Sequence, residues 1–357
     1  MHQVNSLDKL PPKREKVETL NTLRQLSIAS KSLGELKGIA QTMPNQEMLI
    51  NAIVLQEAKD SSEIENIITT QDELYKALTI AQKQTPQVKE VINYRKAIFL
   101  GYDLLRKQGF LKLKDIELLQ KTIIENDAGI RNMPGTVLKN DTTGEVVYTP
   151  PQEKQVILDL LGNFLEHFNL KQDNFPVLIN LAILHYQFES IHPFYDGNGR
   201  TGRILNILYL IINNFLDIPI LYLSSYINEN KHDYYRLLNK VNKSDEWEEY
   251  ILYILKAVEI TANRTITKIA SINASLSETI EIVKAKEPKV YKKELIELLF
   301  EQPYSKIEYV VKKLNVERKA ASRYLNKLEK IGIVTSKKIG REKIYINIRL
   351  FEILKRN

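Results

Sequence analysis

The chain of 357 residues contains no cysteine, so disulfides are excluded and a reducing compartment fits. Histidine is scarce too: the five residues include no i, i+4 pair, and a zinc site is not expected. A long uninterrupted apolar run is also missing. The most apolar stretch, Ile204 to Leu223, is broken by Asn206, Asn213, Asn214 and Asp217, and reads as a buried helix followed by a turn rather than a membrane span. Met1 to Ser6 lack the basic-then-apolar layout of a signal peptide, so a cytoplasmic protein with no membrane partner is the expectation. Fixed-period repeats and low-complexity tracts are absent. What is present is ordinary for a soluble protein: 43% hydrophobic residues, enough for a packed core, and a length that suggests two or three domains.

The net charge of +7 is unevenly placed. From Glu281 to Asn357 there are 20 Lys+Arg against 10 Asp+Glu, whereas the rest carries 31 against 34. Any acidic or nucleic-acid partner is therefore to be sought at the C-terminal end.

The densest chemistry lies in twelve residues, His192-Pro193-Phe194-Tyr195-Asp196-Gly197-Asn198-Gly199-Arg200-Thr201-Gly202-Arg203, between two apolar helical patterns. Pro193 disfavours the α region for the residue before it, so the helix through Leu178, Ile183, Phe188 and Ile191 should end near His192. Gly197 and Gly199 leave backbone N–H groups unobstructed, and a second helix should begin at about Gly199 or Arg200. Successive N–H groups at a helix start form an anion nest. Asp196 beside it suffices for Mg²⁺ if phosphates complete the octahedron. Arg200 and Arg203, three apart on the first turn, can both fork onto phosphate oxygens. His192 is the one neutral base near the nest at pH 7. His185, seven residues earlier, suits a purely structural role.

This segment resembles the core motif of Fic-domain proteins, H-x-F-x-D-G-N-G-R-x-x-R, at every fixed position, and Phe188-Glu189-Ser190-Ile191 is similar to the helix end that leads into it. The resemblance implies protein adenylyltransferase activity: AMP passes from ATP to a Tyr, Thr or Ser hydroxyl of a target protein, and of the enzyme itself, with pyrophosphate leaving. It implies His192 as the base, Asp196 as the Mg²⁺ ligand, and Asn198 with the Gly197 and Gly199 amides as the phosphate cradle. Arg200 and Arg203 would take the β- and γ-phosphates, with Gly202 in the same ATP-binding turn and Phe194 as a core anchor.

A second segment, Ser61-Ser62-Glu63-Ile64-Glu65-Asn66, resembles the family's inhibitory-helix motif, [S/T]-x-x-x-E-[G/N], read as Ser61, Glu65 and Asn66. In members with this helix N-terminal to the core, the Glu pairs with the second motif Arg, here Arg203, and occupies the place of the γ-phosphate. Tyr234-Tyr235-Arg236-Leu237-Leu238 and Asn242 are similar to the family's adenine-pocket helix, with Tyr234 against the base and Asn242 reading its edge. Thr136 to Lys139 and Glu145 to Tyr148, flanking Asp141-Thr142-Thr143-Gly144, read as a hairpin. The resemblance makes it a flap that pairs with an extended target segment along residues 136–149.

The tail reads as a winged helix-turn-helix. Its helices are placed at Leu295 to Leu299, Ile307 to Leu314 and Glu317 to Ile331, and its wing strands at Ile333 to Thr335 and Lys343 to Ile346. Arg318, Lys319, Arg323 and Lys327 on the third helix make DNA a candidate partner, beside target recruitment and a homodimer. The expected fold is mainly α: a Fic helical fold with a β-hairpin flap, plus a small C-terminal winged-helix domain. Its divisions are a helical region with the inhibitory helix (1–85), a catalytic core (86–268), a helical linker (269–287) and the winged module (288–357). Two alternatives stand beside the transferase: a Fic enzyme that removes AMP or uses another nucleotide, and a nucleotide-sensing DNA-binding regulator.

Overall fold

The computed structural model describes residues 7–80, 83–139, 144–170 and 175–355. Its N-terminal part runs α1 (Arg14–Val17), α2 (Leu20–Ala40), α3 (Gln46–Ile64), α4 (Gln71–Thr79), α5 (Pro86–Gln108) and α6 (Leu113–Ile124). Local chemistry sets these boundaries. Thr70 caps α4 in a reciprocal box with Glu73, Thr85 accepts from Val88 N–H just ahead of Pro86 at the start of α5, and Gly109 ends α5 at φ 75°.

A short hairpin follows, β1 (Leu138–Lys139) with β2 (Val146–Tyr148), antiparallel and with a register shift between Leu138 and Lys139. Both strands lie where the sequence puts them; three residues of the expected turn, Asp141, Thr142 and Thr143, lie outside the described residues. Next come α7 (Lys154–Asn169), α8 (Val177–Ile191), α9 (Asn198–Ile212), α10 (Ser224–Glu229), α11 (Lys231–Ser244) and α12 (Glu248–Lys286). Helices α8 and α9 are buried on nearly every side, which is why they read as apolar all round. Around this central pair pack α5, α6, α7 and α12, while α12 also runs along α2. The twelve-residue motif forms the loop joining α8 to α9 and the first turn of α9, so deeply buried helices hold it at both ends.

Position 268, the expected end of the core, falls inside α12, which continues without a break to Lys286, so the expected helical linker is the C-terminal half of that helix.

The tail contains α13 (Lys293–Glu301), β3 (Tyr304–Lys306), α14 (Ile307–Leu314), α15 (Arg318–Lys330), β4 (Thr335–Ile339), β5 (Glu342–Ile346) and α16 (Ile348–Lys355). The strands form an antiparallel sheet in the order β3-β5-β4. This matches the expected helix and hairpin order, with two corrections. The wing begins at Thr335 rather than Ile333, because pairing with β5 starts at Thr335 opposite Ile346 while Ile333 and Val334 are buried ahead of it, and strand β3 and helix α16 extend the module. The tail docks on the N-terminal region: Tyr304 stacks on Tyr75 of α4 with centroids 5.7 Å apart and donates its hydroxyl to Asp72, while α13 lies against α3. Among the described residues no helix is long and apolar enough to cross a membrane.

Candidate functional site

Helix α8 ends at Ile191, and His192 takes the left-handed conformation, φ 47°, that turns the chain into the loop. Two devices fix that loop. Asn198 accepts from the Phe194 N–H and donates to the Phe194 carbonyl, both at 2.8 Å. Arg131, fully buried, donates from Nε to the His192 carbonyl at 2.7 Å and from Nη2 to the Ile191 carbonyl at 3.2 Å and to the Pro151 carbonyl. Its backbone N–H also reaches the Pro193 carbonyl at 2.9 Å, so one arginine ties the flap's base to the histidine. Burial first, and the Arg131 charge second, push the His192 imidazole down to about 4. The ring is therefore neutral at pH 7.

Gly197 sits at φ 81°, and a Cβ there would meet Ile124 Cγ1 at 2.9 Å, so only glycine gives this turn its closeness to α6. Helix α9 starts at Asn198, one residue before the expected start, and its N-terminal N–H groups face the site. Asp196 accepts from the Gly197 N–H at 2.6 Å and from Arg200 Nη2 at 3.3 Å. Arg200 is buried and pairs also with Glu90 of α5.

Arg203 meets the N-terminal motif. Its Nε donates to Ser61 Oγ at 2.7 Å, and its Nη2 donates to the Ser61 carbonyl at 2.9 Å and to Glu65 Oε1 at 3.0 Å. The Arg203 side chain is 3% exposed and that of Glu65 35%. Burial raises the Glu65 carboxyl, but Arg203 outweighs it and the net shift is downward. Glu65 lies over the start of α9: a Cβ on Gly199 would come within 2.5 Å of Glu65 Oε1 and 2.9 Å of Arg203 Nη1. A carboxylate thus occupies the anion-favouring end of the helix. Asn66 follows at φ 61° and closes α3, which gives a physical reason for Gly or Asn at that motif position.

Four expected site residues take other roles. The Asn198 side chain is spent on clamping the loop, leaving only its backbone N–H for an anion. Gly202 faces α8, where a Cβ would lie 2.6 Å from Glu189 Oε1 and 3.1 Å from Phe188 Cδ1, so its smallness serves helix packing. Tyr234 is a core residue whose hydroxyl bonds His185 Nε2 at 2.8 Å, not a surface against which a base could lie. Asn242 uses its oxygen to accept from Tyr186 at 2.7 Å and Ser190 at 3.3 Å. His185 is structural, as expected, and also bonds Asn206 at 3.1 Å. Sequence reading missed Arg131, Glu90 and Glu189. The last had a signal, since it stands three residues before His192; burial raises its carboxyl to about 7 against the pull of Arg203, and its Oε1 has no hydrogen-bond partner among the described residues. Arg131 and Glu90 lie 61 and 110 residues from their partners, with no local pattern to reveal them.

A buried helical pair thus brings a neutral histidine, one exposed carboxylate and two buried arginines together at a helix start, an arrangement chemically suited to an anion beside a base. Three family models match in succession: Fic/DOC family N-terminal over residues 23–103, Fic/DOC family over 110–210, and the C-terminal domain of SoFic-like protein adenylyltransferases over 276–350. The chain belongs to the Fic/DOC family. It is similar to a probable protein adenylyltransferase of Aquifex aeolicus, 30% identical over 183 residues, covering 51% of this chain and 55% of that protein. It is also similar to protein adenylyltransferase fic-1 of Caenorhabditis elegans, 25% identical over 198 residues, covering 54% of this chain and 36% of that protein. The matches thus span about half or less of these relatives' length. Among solved structures, a Fic family protein from Desulfovibrio desulfuricans shares the fold over 94% of this chain and 98% of its own, with a TM-score of 0.61 and 16% identity. Fic-1 of C. elegans matches over 70% and 73%, with a TM-score of 0.53 and 19% identity.

Proposed function

We propose that the protein transfers AMP from ATP to a hydroxyl of a target protein, and of itself, and that it is held inactive by its own α3. The observation that carries this reading is the Glu65 carboxylate seated on Arg203 at the start of α9, within reach of the same N–H groups that would face phosphate. His192 accepts the proton of the incoming hydroxyl; its low pKa keeps the ring unprotonated, and Arg131 fixes its orientation through the backbone on either side. Arg200 and Arg203 supply fixed positive charge for the phosphates, with the α9 N-terminus behind them. Asp196 fits Mg²⁺ only as a single carboxylate with phosphate and water completing the shell, because the described residues contain no cluster of three acidic or histidine ligands. Bound there, the ion would neutralise phosphate charge. The acceptor strand pairs along the flap, 136–149, which Tyr148 anchors to α8 through the Ser190 carbonyl at 3.0 Å.

With ATP labelled at the α-phosphate and Mg²⁺, the intact chain should label weakly, Glu65→Gly strongly, and the double variant with His192→Ala not at all. Equal labelling of the intact chain and Glu65→Gly would reject the inhibitory role, and labelling that survives His192→Ala would reject the base. UTP or GTP in place of ATP tests the donor, and release of AMP from labelled protein tests the reverse activity.

A second reading concerns the tail. Lys319 and Arg323 of α15 and Lys337, Lys338 and Arg341 of the wing are exposed and enter no ion pair among the described residues, a basic face suited to duplex DNA. Affinity for duplex DNA should fall steeply with salt, and Lys319→Ala with Arg323→Ala should weaken it; a salt-insensitive interaction would reject this reading.

A further inference from the structure

One turn before Ser61, α3 borders a cavity of about 60 Å³ that it shares with α10 and α12, and the proposed transfer makes no use of it. Its walls carry opposite charge: Glu57 and Asp60 from α3 face Arg264 and Lys268 from α12, with Ser225 of α10 between them. Glu57 is only 2% exposed. Its Oε1 accepts from Ser224 Oγ at 2.5 Å and from the Tyr94 hydroxyl at 3.1 Å, but its buried Oε2 has no partner among the described residues. Asp60 is satisfied by Gln56, whose Nε2 lies 2.8 and 2.9 Å from its two oxygens. On the facing wall Arg264 is committed to Glu229 by two bonds of 2.8 Å, whereas Lys268 enters no hydrogen bond or ion pair among the described residues. Glu57, with one unused carboxylate oxygen, and Lys268, with an unused ammonium, therefore line the same small space. An unpaired buried polar atom is costly, and a site that supplies its partner recovers that cost.

We propose that this cavity binds a small zwitterion of the amino-acid type, between glycine and serine in size, with its ammonium on Glu57 Oε2 and its carboxylate on Lys268. A simple cation would meet Lys268 and Arg264 across the cavity, and a simple anion would meet Glu57 and Asp60, so neither single charge suits both walls. The volume holds roughly four waters, which agrees with the few non-hydrogen atoms of glycine. Burial raises the Glu57 carboxyl to about 8, and an arriving ammonium favours its ionised form, so binding near neutral pH releases a proton.

The site is wired to the inhibitory contact. Tyr94, which donates to Glu57, interacts electrostatically with both Ser61 and Arg203, and Ser61 Oγ accepts from Arg203. An occupant that draws on Glu57 thus acts on the group that holds Arg203. This coupling rests on the inhibitory reading above; the binding site does not.

Titration calorimetry on the full chain with glycine, L-alanine and L-serine tests the site, with acetate and methylamine as half-ligands. Saturable binding of at least one zwitterion is expected, with both half-ligands far weaker. Lys268→Met, outside the central core, should weaken it by about ten- to a hundredfold, the usual worth of a hydrogen bond to a charged group. If none of the three binds, or if Lys268→Met binds as well as the intact chain, the proposal fails and the cavity holds water alone. Tyr94→Phe separates binding from coupling: it should retain the zwitterion but lose any effect of it on self-labelling. An effect that persists in Tyr94→Phe would overturn the coupling. A chain that never labels leaves the calorimetric result intact, so failure of the transfer reading and failure of the site are told apart.

Discussion

His192 and His185 give up proton affinity on folding while Glu57 and Glu189 gain it, so the two pairs bend the pH dependence of stability in opposite directions. Burial is the first cause in all four, taking the histidines to about 4 and about 3 and the carboxyls to about 8 and about 7. Below the ordinary histidine value of 6.5 the unfolded chain protonates imidazoles that the folded chain keeps neutral, which favours folding as pH rises toward 6.5. Above the ordinary carboxyl value of 4.5 the folded chain retains two protons that the unfolded chain has released, which opposes folding as pH rises. The two effects offset each other between those values. Past about pH 6.5 only the carboxyls remain, and stability should decline through about pH 8. Urea midpoints should therefore be lower at about pH 8.5 than at about pH 6.5, and Glu189→Gln should flatten part of the decline; a higher midpoint on the alkaline side would contradict these assignments.

The C-terminus of α3 decides whether Glu65 is presented at all. Ser61 and Glu65 lie one turn apart and both touch Arg203, and Asn66 at φ 61° turns the chain away so that Glu65 can serve as the last cap. Asn66→Gly should preserve low self-labelling, because glycine adopts this conformation freely. Asn66→Val should cost about 1–2 kcal/mol locally, fray the end of α3 and raise labelling; equal labelling of the two variants would show that the turn does not hold Glu65. Elements of this kind were legible in the sequence. Pro193 announced the end of α8, and the resemblance of the two motifs to those of Fic proteins implied that Glu65 would meet Arg203. What stayed hidden was how side chains divide their bonds in three dimensions. Asn198 and Gly202 stand in the motif beside the two buried arginines, yet one spends its side chain on Phe194 and the other makes room for Glu189. Tyr234 looked like a platform for a base, but helical spacing alone does not distinguish a tyrosine that lines a pocket from one that closes the core over His185.

Across the whole molecule, helix α3, the inhibitory element proposed above, is gripped from several sides: α5 and α10 pack on it, and α13 of the tail packs on it as well. The long α12 carries the tail from the catalytic core to this docking position, because it stays unbroken to Lys286 and meets both α13 and α16. The joint itself is aromatic. Tyr75 of α4 stacks on Tyr304 at 5.7 Å and meets Phe351 edge-on at 6.2 Å, with the Tyr304 hydroxyl on Asp72. Aromatic pairs of this kind contribute about 0.5–1.5 kcal/mol beyond their buried area, so the joint can be loosened without unfolding the catalytic core. Tyr304→Ala should then lower the thermal midpoint of the tail and raise self-labelling, though less than Glu65→Gly does, since Glu65 itself remains able to find Arg203. The comparison needs only the labelled-ATP assay and a melting curve for each variant. A loosened tail with labelling no higher than that of the intact chain would mean that α5 and α10 alone hold α3 in place, and that whatever the basic face of the tail binds is not communicated to the active site.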